Sequence, residues 1–220
     1  RVIKTDKAKE VQDIIELSHS MNLSITFRAA GTSLSGQAIS DSILIVTSRN
    51  FSKFKIAPDA SFISLEPALT GAQVNGLLAR YSKKIGPDPA SINAAMIGGI
   101  AANNASGMCC GISQNSYKTL KSMKLIFADG AKLDTGCQES KDAFRKTHGD
   151  FLKELKNFSN DTKNNEELRA KIERKFKIKN TCGYSLNALI DFEDEFEILE
   201  HLIIGSEGTL AFIEEITYYT

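Results

Sequence analysis

The chain has 220 residues, 42% of them hydrophobic and 25% charged, the composition of one ordinary folded domain or two small ones. Lys+Arg and Asp+Glu both number 27, so the net charge is zero and the basic excess of a nucleic-acid surface is missing. No apolar run approaches the ~20 residues of a membrane span, and no secretory signal pattern opens the chain.

In chain order, "VIK" is a short apolar start, after which Thr5 or Asp6 is positioned to cap a helix. Ala8, Val11, Ile14 and Ile15 recur at helical spacing up to about residue 20. "LSITFRA" and "ILIVTS" read as strands, giving a compact βαβ unit that ends near Asn50. "KFKIAPDASFISLEP" offers two β segments around Pro58-Asp59, and Thr70 caps a helix carrying Val74, Leu77, Leu78 and Tyr81. "MKLIFADGAKLDT" predicts a hairpin turning at Asp129-Gly130. Residues 139–178 read as a charged helical excursion on the surface. "DEFEILEHLI" reads as a helix whose acidic run is a solvated face, and "TLAFIEEITYY" as a half-buried strand. Both chain ends fall inside apparent strands, which suggests a piece of a longer protein.

Four cysteines occur, Cys109, Cys110, Cys137 and Cys182, without a C-x-x-C pair, which argues against a zinc ribbon or an iron–sulfur cluster held by this segment. They read as reduced thiols of a cytoplasmic protein. For the vicinal Cys109 and Cys110, a buried apolar role outweighs a redox one. Of the three histidines, His19 lies where a cation suits a helix C-terminus, and His148 carries no catalytic signal. His201 either caps its helix or approaches a ligand near "GSEG". Tyr184 either borders a site or fills core.

Four stretches are rich in Gly and small polar residues: Gly31–Gly36, Gly86–Ser91, Gly98–Gly107 and Gly205–Gly208. Small residues bring backbone close to a ligand and tolerate positive φ, and successive N–H groups in such a loop form a concave anion site. "GTSLSG" is therefore suited to wrapping a diphosphate without a fixed cation. It is neither a P-loop, since Gln37-Ala38 follow Gly36, nor a G-x-G-x-x-G fingerprint. One such loop is usually only a turn; four in one chain favour a site.

"RAAGTSLSGQA", "GPDPASINAAMIGGIAANNASG", "KNTCGYSL" and "GSEGTLAFIEE" occur in the order found in FAD-linked enzymes of the vanillyl-alcohol oxidase/p-cresol methylhydroxylase type. Among them the chain resembles the D-2-hydroxyacid dehydrogenases, which include D-lactate and D-2-hydroxyglutarate dehydrogenases and glycolate oxidase FAD subunits. "NNASGMCCGISQNSY" resembles the large bacterial forms with iron–sulfur motifs further along. The resemblance implies an α+β fold of two subdomains, residues 1–54 and 55–220, with FAD between them.

It also implies that Arg28, Ala29, Ala30, Gly31, Thr32, Ser33, Leu34, Ser35 and Gly36 form a pyrophosphate loop. Pro87, Asp88, Pro89, Ala90 and Ser91, with Gly98, Gly99, Asn103, Asn104, Ser106 and Gly107, would line the dinucleotide and one side of the flavin. Glu207, Gly208 and Ile213 would sit near the adenosine half. Members with covalent flavin carry His in the first loop after paired glycines; here the stretch reads Ala30-Gly31-Thr32-Ser33, which implies non-covalent FAD. The resemblance further implies oxidation of a D-2-hydroxy acid by hydride transfer to flavin N5, with electrons passing on to a quinone or redox protein. The base and carboxylate-binding Arg would belong to a following substrate domain, as would any iron–sulfur cluster. No catalytic residue is therefore named and no metal site is expected. The protein would be cytoplasmic, or peripheral to the inner membrane through its parent. The competing readings are a reductase of the same fold, like UDP-N-acetylenolpyruvoylglucosamine reductase, and a non-catalytic nucleotide-binding module.

Overall fold

The computed structural model describes residues 1–181 and 183–220; Cys182, part of the thiol reading, lies outside the described residues. Three short strands, β1 (Val2–Thr5), β2 (Ile25–Arg28) and β3 (Ile43–Thr47), form a parallel sheet in the order β1-β3-β2. Helix α1 (Ala8–Ser20) connects β1 to β2 and buries Val11 and Ile15. It starts two residues later than a Thr5 cap would place it. Glu10, in its first turn, reaches back instead and accepts from the backbone N–H of Asp6 at 2.7 Å and of Lys7 at 3.3 Å. The long β2–β3 connection carries the first glycine loop past the carboxyl ends of these strands.

The second sheet is antiparallel. It comprises β4 (Phe54–Ile56), β5 (Phe62–Leu65), β6 (Leu120–Phe127), β7 (Lys132–Asp134) and β8 (Ala211–Tyr219), in the order β4-β5-β8-β6-β7. The hairpin turns where expected: Gly130 has φ +83°, its N–H reaches the Phe127 carbonyl, and the Asp129 carboxylate accepts from Ala131 N–H at 3.0 Å. β8 departs from the half-buried expectation. It is the central strand, and a register shift opposite Lys124/Leu125 breaks its alternation, so Ala211, Phe212, Ile213, Ile216, Thr217 and Tyr218 are all buried.

Helix α2 (Gly71–Leu78) begins at a reciprocal cap in which Thr70 Oγ1 accepts from Gln73 N–H and Gln73 Oε1 from Thr70 N–H. It ends before Tyr81, which lies on a 3₁₀ turn and is exposed. Val74 and Leu78 join Ile63, Leu65, Met123, Leu125 and Ile216 in the main core, with Ile97 and Ile100 of helix α3 (Ile97–Ala102). Helix α4 (Ser116–Thr119) leads into β6. A second cluster joins the two sheets: Val11 and Ile15 pack with Phe51, Ile126 and Phe212, and the Phe212 ring lies 5.1 Å from Phe27 and 6.1 Å from Phe51.

The excursion is two helices, α5 (Gln138–Asn164) and α6 (Glu166–Phe176). α5 is anchored by Phe144 and Leu152, which pack with Leu133, Phe196 and Leu199. His148 interrupts it at φ −125°; its ring stacks on Phe144 at 4.2 Å, and Nε2 lies 2.8 Å from the Asp129 carboxylate. After the short α7 (Ala188–Asp191), helix α8 (Glu195–Ile203) is capped by Asp194. The acidic run is not a uniformly solvated face. Glu193 and Glu195 pair with cations of α5, whereas Glu200 is buried, because α8 is covered on more than one side.

Candidate functional site

The first loop follows directly from β2, and its geometry starts with Gly31. Gly31 has φ +68°, and a Cβ there would lie 2.6–2.8 Å from the Arg28 guanidinium folded behind it. Among the described residues, no backbone N–H of residues 30–37 donates to a protein acceptor. That leaves a run of free amides beside a concavity, the arrangement an anion requires.

The concavity is a cavity of about 560 Å³ between the two sheets, within the ~300–1,000 Å³ typical of ligand sites. From the small sheet its wall takes Phe27, Ala29, Ala30, Gly31, Thr32, Ser33, Leu34, Ser35 and Thr47; from the large unit it takes Ser91, Gly98, Gly99, Asn103, Glu207, Gly208 and Ile213. Close approach explains several small residues. A Cβ on Gly99 would meet Ala29 Cβ at 3.4 Å, and one on Gly98 would meet Pro67 Cβ at 2.7 Å. Glu207 is the one charged residue on the wall among the described residues, and it accepts from the Asn103 amide. It sits at φ +56°, a costly conformation for a residue with a Cβ and of the kind found at ligand clamps. Next to it, Ser206 lines the cavity with its Oγ buried and without a partner among the described residues.

Other expected residues lie off this wall. Arg28 is behind the loop, and Gly36, at φ +79°, faces Ile39. Pro87, Asp88, Pro89 and Ala90 form a turn packed against Gly107, where a Cβ would fall 1.8 Å from the Asp88 carbonyl oxygen. Asn104 is buried, its Oδ1 accepting from Tyr117 N–H at 3.4 Å, and the Ser106 carbonyl accepts from Lys179 Nζ. The sequence reading missed Thr181 and Gly183, which bring the α6–α7 connection onto the wall, and the apolar wall residues Pro67, Ala95, Met96 and Phe212. Position in "KNTCGYSL" was the available signal for the first pair; the apolar residues had none.

The tempting side chains lie elsewhere. Tyr184 is exposed and shares a hydrogen bond with Thr209 Oγ1 at 2.8 Å. His201 Nδ1 lies 2.7 Å from the Glu197 carbonyl, and its ring stacks on Phe192 at 4.0 Å. Burial there pushes its pKa down to about 4. Burial pushes the neighbouring Glu200 carboxyl up to about 7, against the opposing effects of Thr135 and Lys141. Cys110 is buried as expected, but Cys109 is exposed, because adjacent residues of this turn project to different sides.

The wall is thus rich in small residues, its first loop carries backbone N–H groups without protein acceptors, and Ser206 adds a buried hydroxyl without a partner, all among the described residues. Comparison with known proteins supplies the family. The family described as FAD binding domain matches residues 1–136. The chain is 27% identical over 219 residues to D-2-hydroxyglutarate dehydrogenase of Haemophilus influenzae, covering 94% of this chain and 21% of that protein. It is 24% identical over 221 residues to D-lactate dehydrogenase of Archaeoglobus fulgidus, covering 98% and 37%. The chain thus spans between about a fifth and somewhat over a third of these relatives' length. Alkyldihydroxyacetonephosphate synthase superposes with a TM-score of 0.61 at 16% identity, over 99% of this chain and 31% of that one. 6-Hydroxy-D-nicotine oxidase from Arthrobacter nicotinovorans does so with 0.61 at 12%, over 99% and 35%. At such identities the likeness is one of fold, the α+β arrangement of p-cresol methylhydroxylase-type FAD-binding proteins. With a family match over more than half of its length, the chain belongs to the FAD binding domain family.

Proposed function

We propose that this chain binds FAD non-covalently between its two sheets and is the flavin-holding part of an oxidoreductase acting on a D-2-hydroxy acid. The observation that carries the reading is the cavity lined by residues 29–35 of the first loop, whose backbone N–H groups have no protein acceptor among the described residues. In this reading residues 1–54 and 55–220 are two units that supply opposite walls. The loop amides hold the diphosphate, so no lysine or arginine is needed on the wall. Ser206 Oγ supplies a hydrogen bond from an already desolvated position. Asn103 and Glu207, bonded to each other, present polar edges that orient rather than react. Ala29, Gly98 and Gly99 make this stretch of the wall thin and uncharged. Once bound, FAD supplies the two-electron acceptor for the C2–H of a hydroxy acid. The relatives' names support the substrate class, and the site's own residues supply binding and orientation. Among the described residues, no His or Cys lies on the wall to form a flavin linkage.

The test is direct. The purified protein, loaded with FAD, is precipitated with acid. A yellow supernatant and a colourless pellet are expected. Flavin retained on the denatured chain, or no flavin taken up at all, would refute the reading.

A further inference from the structure

The cavity wall carries opposite hydrogen-bonding chemistry on its two sides. The first loop offers backbone N–H groups, which only donate; the opposite wall offers the Glu207 carboxylate, which only accepts. That carboxylate is held in place by backbone. Glu207 N–H donates to the Ala102 carbonyl at 2.9 Å and Gly205 N–H to the Ala101 carbonyl at 3.2 Å, so the turn is pinned to the last residues of α3. Asn103, at the end of that helix, gives its side-chain amide to Oε1. Oε2 accepts from no protein donor, and no Lys, Arg or His lies on the wall, among the described residues.

The place of the carboxylate relative to the loop follows from close contacts. A Cβ on Gly208, next in the chain, would lie 3.4 Å from the Phe27 ring of β2, and one on Gly99 would lie 3.4 Å from Ala29 Cβ. Asn103 is one helical turn beyond Gly99, its N–H reaching the Gly99 carbonyl at 3.1 Å. The Asn103–Glu207 pair therefore stands across from the root of the first loop, next to the amides of residues 30–35. Beside it Ser206 is only 2% exposed, and its Oγ has no partner among the described residues. A half-buried charged acceptor and a buried hydroxyl, both unused and adjacent in the chain, are unfavourable until a ligand supplies their partners.

The chemistry of those partners is restricted. They must be donors, closely spaced and uncharged, because a phosphate oxygen brought near Glu207 is repelled in a wall that holds no cation. In a dinucleotide whose diphosphate lies on the loop, the groups bonded next to the phosphates are hydroxylated sugar chains, ribose on one side and ribityl on the other. Amides for the diphosphate with a carboxylate for the sugar hydroxyls is also the division of labour in dinucleotide sites of a different fold.

We infer that Glu207 is the specificity-determining residue of the cavity: with Ser206 it takes the sugar hydroxyls next to the diphosphate, and it excludes a ligand that carries a phosphate ester on that sugar. The inference rests on the FAD reading for the place of the diphosphate.

The test is a flavin-fluorescence titration of the FAD-free protein with FAD and three analogues: one with 2′,3′-dideoxyribose, one lacking the ribityl 4′-hydroxyl, and one phosphorylated on whichever sugar the first two identify. One deoxy analogue should bind the parent about tenfold or more weakly than FAD, and which one it is names the sugar. Glu207→Gln should bind FAD on the order of tenfold more weakly and lose most of its discrimination against that same analogue, a coupling that a merely structural role would not produce. The phosphorylated analogue should bind the parent on the order of tenfold or more weakly than FAD, and the gap should narrow in the Gln variant. The comparison of analogues on the parent stands even where the variant is unstable in a thermal melt. Both deoxy analogues binding the parent like FAD would overturn the sugar assignment, and equal discrimination by parent and Gln variant would remove Glu207 from the contact. A phosphorylated analogue bound as well as FAD would overturn the exclusion. Failure of FAD itself to bind the parent would instead strike at the function proposed above.

Discussion

Replacing Gly31 by Val tests the amide cradle. The native φ of +68° is a left-handed conformation, which costs a residue with a Cβ about 1–2 kcal/mol, and a β-branched one more. The new side chain would also meet the Arg28 guanidinium at 2.6–2.8 Å, a flexible group that can withdraw. The durable effect is therefore on the backbone: the loop relaxes toward negative φ and turns at least one amide away from the phosphate. A hydrogen bond to a charged group is worth about 1.5–3 kcal/mol. Because relaxation relieves the strain, the lost bond sets the effect, about 10- to 100-fold in FAD affinity. Because the loop is exposed and its amides make no internal bonds, the melting temperature of the FAD-free protein should move little. The assay is a flavin-fluorescence titration alongside a thermal melt, with Gly31→Asn, which tolerates positive φ better, expected to fall in between. A Val variant that folds and binds FAD like the parent would remove this loop from the site.

Ser206→Ala should act with opposite signs: deleting the unpartnered buried hydroxyl stabilises the FAD-free protein by about 1 kcal/mol and weakens FAD binding by about tenfold, read by melts with and without FAD. Glu200→Gln should alter the pH dependence of unfolding. The folded pKa of Glu200 is raised to about 7, so its stabilising, protonated state is complete below the ordinary value near 4.5 and is lost as pH rises through about 7. At pH 8 the Gln variant should exceed the parent by up to roughly 3 kcal/mol, and near pH 4.5 the two should converge. In the variant the opposing slope of His201, whose depressed pKa of about 4 costs stability as pH falls below 6.5, becomes visible in urea titrations. Gly107→Ala, with its Cβ 1.8 Å from the Asp88 carbonyl oxygen, should lower the melting temperature sharply, whereas Gly149→Ala, where nothing lies within 4 Å, should raise stability by about 1 kcal/mol.

The sequence was most legible where local chemistry decides structure. The Thr70 cap, the Asp129-Gly130 turn and the helical spacing of Val11 and Ile15 each need only neighbours in the chain. It misled where tertiary packing decides. The strand β8 alternates on paper, yet a bulge and two covered faces bury both registers. The acidic run contains one carboxyl, Glu200, that faces inward, and nothing local separates it from Glu193 or Glu195. At the site, the first glycine loop was legible because small residues are needed where backbone meets ligand. The "GPDPA" turn carries the same small-residue signal for a different reason: its carbonyl at Asp88 abuts Gly107, so most of it supports the wall without reaching it. Thr181 and Gly183 escaped because a long helical excursion separates them in sequence from the residues they join.

The measurement that bears most directly on the central claim is an amide-shift titration of ¹⁵N-labelled protein with FAD. The account predicts that the shifts concentrate in residues 30–37, in Gly98, Gly99 and Asn103, and in Ser206–Gly208, on both walls of the inter-sheet cavity, while α6 stays still. Shifts confined to one sheet, centred on another surface, or absent at saturating FAD would contradict it.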